Sequence, residues 1–249
     1  MAMTSWLRGR SSRGRRELRN ALVARPVDRK TMREDVAARF LRGEGLEIGP
    51  LNFPLRLPRS AHVRYVDRQP HDELVAEYGA MYPGAAIVAP DVIDDGERLG
   101  SFPDASAGFI VANHMLEHTQ DPIGTIAAHL RVLRPGGILF YALPDGRRIR
   151  EDRDRPLTTV EHLLRDHAEG PAWSRSDHYR EWVRFAERWD ADDVDRRAAQ
   201  LEAEQANIHF HVFEARSFAA LLGNLELPFE LELLQRNHDE FIVVLRSTA

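Results

Sequence analysis

From residue 44 onward the chain alternates short aliphatic or β-branched runs with segments of helical spacing. The runs are "LEIG", "HVRYVD", "AAIVAPDV", "AGFIVANH" and "GGILFYALP". Between them, His71 to Tyr78 and Ile123 to Leu133 place apolar residues three and four apart. Strands that alternate with helices mean βαβ units and a parallel sheet, because parallel neighbours need a crossover. "FIVA" and "ILFYAL" are apolar on both faces, as central parallel strands are. "RPGG", Arg134 to Gly137, stops a helix and leads into the next run. The last two runs, "FELELLQ" and "EFIVVLR", are joined by "RNHD" and read as an antiparallel hairpin after a helix from Ser217 to Leu225.

The 249 residues, 43% of them hydrophobic, suffice for one large α/β domain with an attachment or for two small domains. No apolar run is long enough for a membrane span, and the first residues lack the apolar core of a secretory signal. With no cysteine, disulfides and thiolate metal sites are excluded. A net charge of -5 argues against a nucleic-acid partner for the whole chain. A cytoplasmic location is the default expectation. Lys30 is the only lysine, and Arg8, Arg10, Arg13, Arg15, Arg16 and Arg19 crowd an N-terminal arm. Such an arm is more often a mobile terminus or dimer arm; the alternative is peripheral contact with an anionic membrane surface or polyanion, anchored by Trp6 and Leu7.

After "ALPDGRR" the texture changes. From Arg147 to about Ala206 charges of both signs crowd the chain and no strand-like run occurs. Tyr179, Trp182, Val183, Ala186 and Trp189 predict one amphipathic helix, and Asp192 to Gln205 a more polar one. Three tryptophans argue for a helical cap rather than a linker. The expected division is an arm and lead-in helix over 1–40, a nucleoside-binding core over 41–146, the cap over 147–206, and a closing helix and hairpin over 207–249.

In an open α/β sheet, ligands bind beyond the carboxyl ends of the strands. Those ends fall at Glu47-Ile48-Gly49, Asp67, Asp91 and Asn113-His114, so three of the first four carry a carboxylate, a type depleted from strands. Asp67 stands about twenty residues past a glycine turn, placed to accept both ribose hydroxyls of a nucleoside. Its plainer reading is a helix N-cap, since "DRQPHDEL" opens a helix. "GLEIGPLNFPLRLP", Gly45 to Pro58, would be the turn, yet it has one glycine after the first strand.

"LEIGP", "VRYVD", "APDVID", "FIVANHMLEHTQDP" and "HLRVLRPGGILFYALPD" together resemble the successive motifs of class I S-adenosylmethionine-dependent methyltransferases, in the small-molecule branch often labelled type 11. The resemblance runs from about Gly43 to Asp145. It implies a Rossmann-like, seven-stranded, mostly parallel sheet with an antiparallel terminal hairpin and an inserted helical cap, and S-adenosyl-L-methionine as cofactor. It implies that Glu47, Gly49 and Pro50 begin the loop under the methionine part. Asp67, with Arg68 beside it, would hold the ribose; Asp91 and the Val92 amide would meet the adenine; Asn113 and His114 would lie beside the sulfonium. Glu117 and His118 would brace the following helix. The family usually has more glycine where Leu51 and Phe53 stand; the cofactor has no phosphate, so fewer bare amides are needed.

An oxygen or nitrogen acceptor gives up a proton on methylation, which favours a histidine or carboxylate near the methyl. His114, His209 and His211 are the first candidates, with His162 and Asp145 behind them. In "IHFH" the two histidines share a face of an extended segment, a spacing that can hold a divalent metal with His162 or Asp166. No sharp carboxylate-histidine motif is present, so no metal is expected. In "TTVEHLL", Thr158 and Glu161 read as a capping box, which would leave His162 on a helix surface. Arg147, Arg148, Arg150, Arg153 and Arg155 can clamp an anionic acceptor, or pair with the interleaved Glu151, Asp152 and Asp154. "PDGRR…DRPLTTVEH" is loosely similar to methyltransferases of bacterial cell-surface glycans, which points to a saccharide hydroxyl. The expectation is methyl transfer to an oxygen, less readily a nitrogen, of a small-molecule or glycan-type acceptor. The rivals are a catalytically silent cofactor-binding scaffold and a dinucleotide-dependent oxidoreductase. The missing G-x-G-x-x-G turn counts against the latter.

Overall fold

The computed structural model describes residues 28–249; the arginine-rich arm lies outside them. Helix α1 (Arg29–Phe40) starts where the Asp28 side chain accepts the Lys30 amide. Strands β1 (Gly43–Ile48) and β2 (Ala61–Asp67), helix α2 (His71–Tyr78), and strands β3 (Val92–Ile93) and β4 (Ala107–Asn113) follow. Helix α3 (Pro122–Val132) runs straight into β5 (Leu133–Pro144). The seven-stranded sheet has the order β3-β2-β1-β4-β5-β7-β6. Strands β1 to β5 are parallel, while β6 (Phe229–Asn237) and β7 (Glu240–Ser247) form the expected antiparallel hairpin against β5.

The sheet is buried on both faces, which is why β4 and β5 carry continuous apolar runs. On one face Leu46, Ile110, Leu139 and Tyr141 pack with Ile126 and Leu130 of α3 and with Phe218 and Leu221 of α7 (Ala215–Leu222). On the other, Phe109, Phe140 and Ile242 pack against Val36 and Ala37 of α1. A Cβ on Gly45 would stand 2.4 Å from the Phe109 ring, so β1 must be bare there for β4 to lie beside it. Among the described residues no helix is long and apolar enough to cross a membrane.

Three boundaries differ from the sequence reading. The third strand is later and shorter: Pro90 has no amide to give a ladder, and pairing begins only at Val92, opposite Val66. "RPGG" is not a turn outside the strand but its irregular lead-in, with Gly136 at φ 76° and the ladder shifting between Ala107 and Phe109. The closing helix spans Ala215–Leu222 and starts on a Glu214–Ser217 capping box.

Between β5 and α7 lie α4 (Val160–Glu169), α5 (Arg175–Glu181) continuing into a wide turn (Trp182–Ala186), and α6 (Ala191–Ala203). The single helix expected through Trp189 ends early, because Arg188 takes a left-handed φ of 62°. Trp189 is left 40% exposed, beneath the Arg197 guanidinium. Tyr179, Val183, Val194, Ala198 and Leu201 form a small core of their own, closed by Ile208 and Phe210 of the returning chain. The cap of α4 is Thr159, whose hydroxyl accepts the His162 amide; Thr158 instead accepts the Val212 amide.

Candidate active site

The carboxyl edge of the sheet carries most of the expected nucleoside-site residues. Gly49 has φ 58°, and a Cβ there would meet nothing within 4 Å, so its open side is not packed against protein. Leu51, where more glycine was expected, also adopts a left-handed φ of 45°. That conformation costs an L-residue about 1–2 kcal/mol, and here the Leu51 carbonyl is held by the Val88 amide at 2.7 Å. Glu47 acts from beneath: its buried carboxylate accepts the Leu55 amide at 2.8 Å and fixes the far end of the loop. Burial, only partly offset by that bond and by Arg33, lifts Glu47 to about 7. Pro50 is buried in the same turn.

Asp67 ends β2, where its Oδ1 accepts the Arg68 amide at 2.8 Å. Burial raises its pKa above the ordinary carboxylate value, against the pull of that bond and of Arg68. The Arg68 side chain turns away to Glu77 and the Tyr78 hydroxyl. Asp91 is not at a strand end. Its carboxylate accepts the Tyr65 amide at 2.8 Å, and the residue beyond the strand is Asp94, two past Val92. Asp94 is bonded by the amide and hydroxyl of Ser101, which hold its carboxyl low against a modest burial cost. Four buried polar atoms along this edge lack a partner: Asn52 Oδ1, Gln69 Oε1, and both side-chain atoms of Asn113.

His114 lies past β4 in a left-handed φ of 51°, its amide on the Ala142 carbonyl. Its Nε2 is 2.9 Å from Glu240 Oε2 and its Nδ1 is 3.5 Å from Glu117 Oε1. Burial alone would lower the imidazole pKa, but the two carboxylates outweigh it and raise His114 to about 9. Both partners are correspondingly held at about 2 against burial, Glu117 by His114, and Glu240 by Arg33 and His114. Arg33 of α1 closes the network with two bonds to Glu240, and Asn237 donates to the same carboxylate at 2.6 Å. Glu117 is thus an inward charge rather than a brace for α3.

The histidine pair of "IHFH" divides between two clusters instead of serving one. His209 Nδ1 bonds the buried Asp152 at 2.7 Å, which Arg155 also holds at 2.7 Å. The His209 ring stands edge-on to His118 at 4.7 Å, and Glu117, His118 and His209 bring their ligand atoms within 4.8 Å of one another. His118 is fixed by a 3.0 Å contact from Nδ1 to the Ile208 carbonyl. His211 instead joins His162, His178 and Asp166. Burial pushes His178 down to about 4 and His211 to about 3, so both rings are neutral. His162 is therefore drawn into a buried cluster and is not simply helix surface. Asp145 accepts the Arg147 amide at 3.2 Å and pairs with Arg148, serving the turn after β5. The arginine group is mostly spent internally: Arg147 donates to the Arg153 and Arg155 carbonyls, and Arg155 is fully buried between Asp152 and Glu181.

Sequence reasoning missed Arg33, Gln69, Asp152, His178 and Glu240. Each is polar and buried or poised only because a distant segment covers it. Asp152 lay inside an alternating charge run that reads equally well as a solvated surface.

A model of the methyltransferase domain matches residues 58–227, more than half of the chain, so the protein belongs to that family. The chain is accordingly a methyltransferase. No curated protein sequence matches it. Among solved structures it is similar to a SAM-dependent methyltransferase from Aquifex aeolicus (12% identity, 84% of each chain covered, TM-score 0.43). It is also similar to one from Methanosarcina mazei (17% identity, 84% of this chain and 95% of that one, TM-score 0.46). A Rhodobacter sphaeroides protein described as a candidate zinc-dependent alcohol dehydrogenase shares the fold (15% identity, 88% and 90% covered, TM-score 0.50). At these identities the likeness is one of fold.

Proposed function

We propose that the enzyme methylates a hydroxyl, less readily an amine, of a small-molecule or saccharide acceptor that enters between the sheet edge and the helical cap over 147–206. S-adenosylmethionine, when bound, supplies a methyl already activated on a sulfonium sulfur. The unpartnered atoms of Asn52, Gln69 and Asn113, at the ends of β1, β2 and β4, fit such a guest, since buried polar groups are otherwise paired. In our reading Asp67 accepts the ribose hydroxyls, and Gly49 with Pro50 underlies the methionine part. The Val92–Asp94 stretch lines the adenine, with Asp91 supporting it from below.

The acceptor-side reading is carried by one observation: the 2.7 Å bond from His209 Nδ1 to buried Asp152. That bond fixes the tautomer and leaves Nε2 as the lone pair facing the Glu117 and His118 side. In this reading His209 would take the acceptor's proton, while the bound donor would supply the methyl group and keep the sulfur electron pair. His114, protonated between two carboxylates, has no lone pair to offer near neutral pH and serves to position the β4 exit. Arg148 and Arg153, half-exposed though paired with Asp145 and Asp154, leave room in this reading for an anionic acceptor. We place the enzyme in the cytoplasm, where its donor is made.

Calorimetry with S-adenosylhomocysteine, with NADH alongside, tests the cofactor half. Asp67→Ala is expected to weaken S-adenosylhomocysteine about 10–100-fold, the loss of charge-assisted hydrogen bonds. Equal affinity in that variant would move the ribose elsewhere. Against a panel of neutral and anionic saccharides with labelled donor, His209→Ala is expected to cut kcat about 100-fold or more while donor affinity holds.

A further inference from the structure

The cluster around Asp166 is not used by the methyl-transfer site and has the chemistry of a ligand set. His162 and Asp166 lie one helical turn apart on α4, so both project from one face. His178 comes from α5 and His211 from the extended chain that returns from the cap. His162 Nε2 is 3.1 Å from His178 Nε2 and 3.1 Å from Asp166 Oδ2, and His211 Nε2 is 3.8 Å from the same oxygen. All four ligand atoms lie within 4.8 Å of one another. Ligands about 2.0–2.1 Å from a tetrahedral ion stand about 3.3 Å apart, so the two 3.1 Å edges match a coordination sphere and the 3.8 Å edge is somewhat wide of it.

Hydrogen bonding does not account for the arrangement. Buried Asp166 Oδ2 has only the nitrogens of His162 and His211 near it, and His211 Nε2, the nitrogen turned toward it, has one further contact, 3.4 Å to the Gln120 carbonyl. A single proton between two imidazole nitrogens at 3.1 Å leaves other lone pairs of the four residues turned toward one another, whereas one cation takes a nitrogen or oxygen from each of them. The surroundings also resemble a support shell: the Ser174 hydroxyl donates to Asp166 Oδ1 at 2.7 Å and fixes the carboxylate's orientation. We infer that His162, Asp166, His178 and His211 bind one divalent transition-metal ion of the zinc class, although the lack of a sharp carboxylate-histidine motif in the sequence argued against a metal. With four protein ligands the site is closed, and its role is structural: it ties α4 and α5 to the chain at 207–213, whose His211 amide already bonds the Glu117 carbonyl.

Metal content of the full chain, purified without chelator, is measured by mass spectrometry, and chelator-stripped protein is titrated with Zn²⁺ and Co²⁺. The expected result is one ion per chain and, with Co²⁺, the intense visible band of a tetrahedral site. His178→Ala and Asp166→Asn should each abolish stoichiometric binding, and Ser174→Ala should weaken it about 10–100-fold. His162→Gln, at the most exposed ligand, provides a milder variant, and S-adenosylhomocysteine affinity in every variant separates lost metal from lost fold. His209→Ala should keep the ion. Absence of binding in both purified and titrated protein, or undiminished binding in His178→Ala, overturns the site. Loss of the ion in His209→Ala overturns it too, by moving the metal to the Glu117, His118 and His209 group.

Discussion

The His114 network predicts a specific loss of stability on the alkaline side. The ring faces Glu117 from the turn after β4, Glu240 from β7 and, behind it, Arg33 and Arg29 from α1, with His118 nearby. Its folded pKa of about 9 lies above the ordinary 6.5. Below about pH 6.5 the ring is protonated in folded and unfolded chains alike, and the stabilisation is complete. Between about 6.5 and 9 the unfolded ring has lost its proton while the native one keeps it, so stability falls as pH rises through that window. A shift of about 2.5 units at about 1.4 kcal/mol each gives an upper bound near 3 kcal/mol. The side chain is 31% exposed, and solvent screening brings the expected loss to about 2 kcal/mol.

The assay is urea unfolding at intervals from pH 6 to pH 10, for wild type and for His114→Asn combined with Glu117→Gln. Asparagine tolerates the left-handed backbone, and the second change avoids stranding a buried carboxylate. The wild-type curve should drop by about 2 kcal/mol relative to the double variant across the window. Parallel curves would refute the assignment of His114 as an imidazolium held between two acids.

Two further outcomes test the loop and the cap. Glu47, lifted to about 7 by burial, loses stability as pH rises from about 4.5 to 7, so Glu47→Gln should match wild type near pH 4.5. At pH 8 the variant should exceed wild type by about 1–2 kcal/mol, since the Leu55 bond survives and the buried charge is gone. A lower thermal midpoint at pH 8 would show that the charge is needed. Arg155→Met strands Asp152 in the interior and should cost about 3–5 kcal/mol by urea unfolding, with Arg155→Met/Asp152→Asn recovering much of it. No recovery in the double variant would mean that the loss is one of packing.

What the chain determined by itself is the part governed by short-range periodicity. Alternating apolar runs and helical spacings fixed a parallel sheet with an antiparallel end, because each element can bury its face in only one way. The placement of Asp67 and Gly49 at strand ends was legible because a strand end followed by a turn is a local event. Even the absent glycine left a trace, in the left-handed backbone of Leu51. Tertiary structure decided what depends on registers and on distant segments meeting. Asp91 dropped below the strand end because Pro90 delayed the pairing of β3, a matter of the β2 partner rather than of the run itself. The histidines of "IHFH" were visible as a pair, but their division between Asp152 and Asp166 follows from how the cap lies on the returning chain. Arg33 and Glu240 are 207 positions apart and meet only because α1 packs beside the start of β7. A charged side chain in sequence reads as solvated by default; only the fold shows which ones lose their water and must find each other instead.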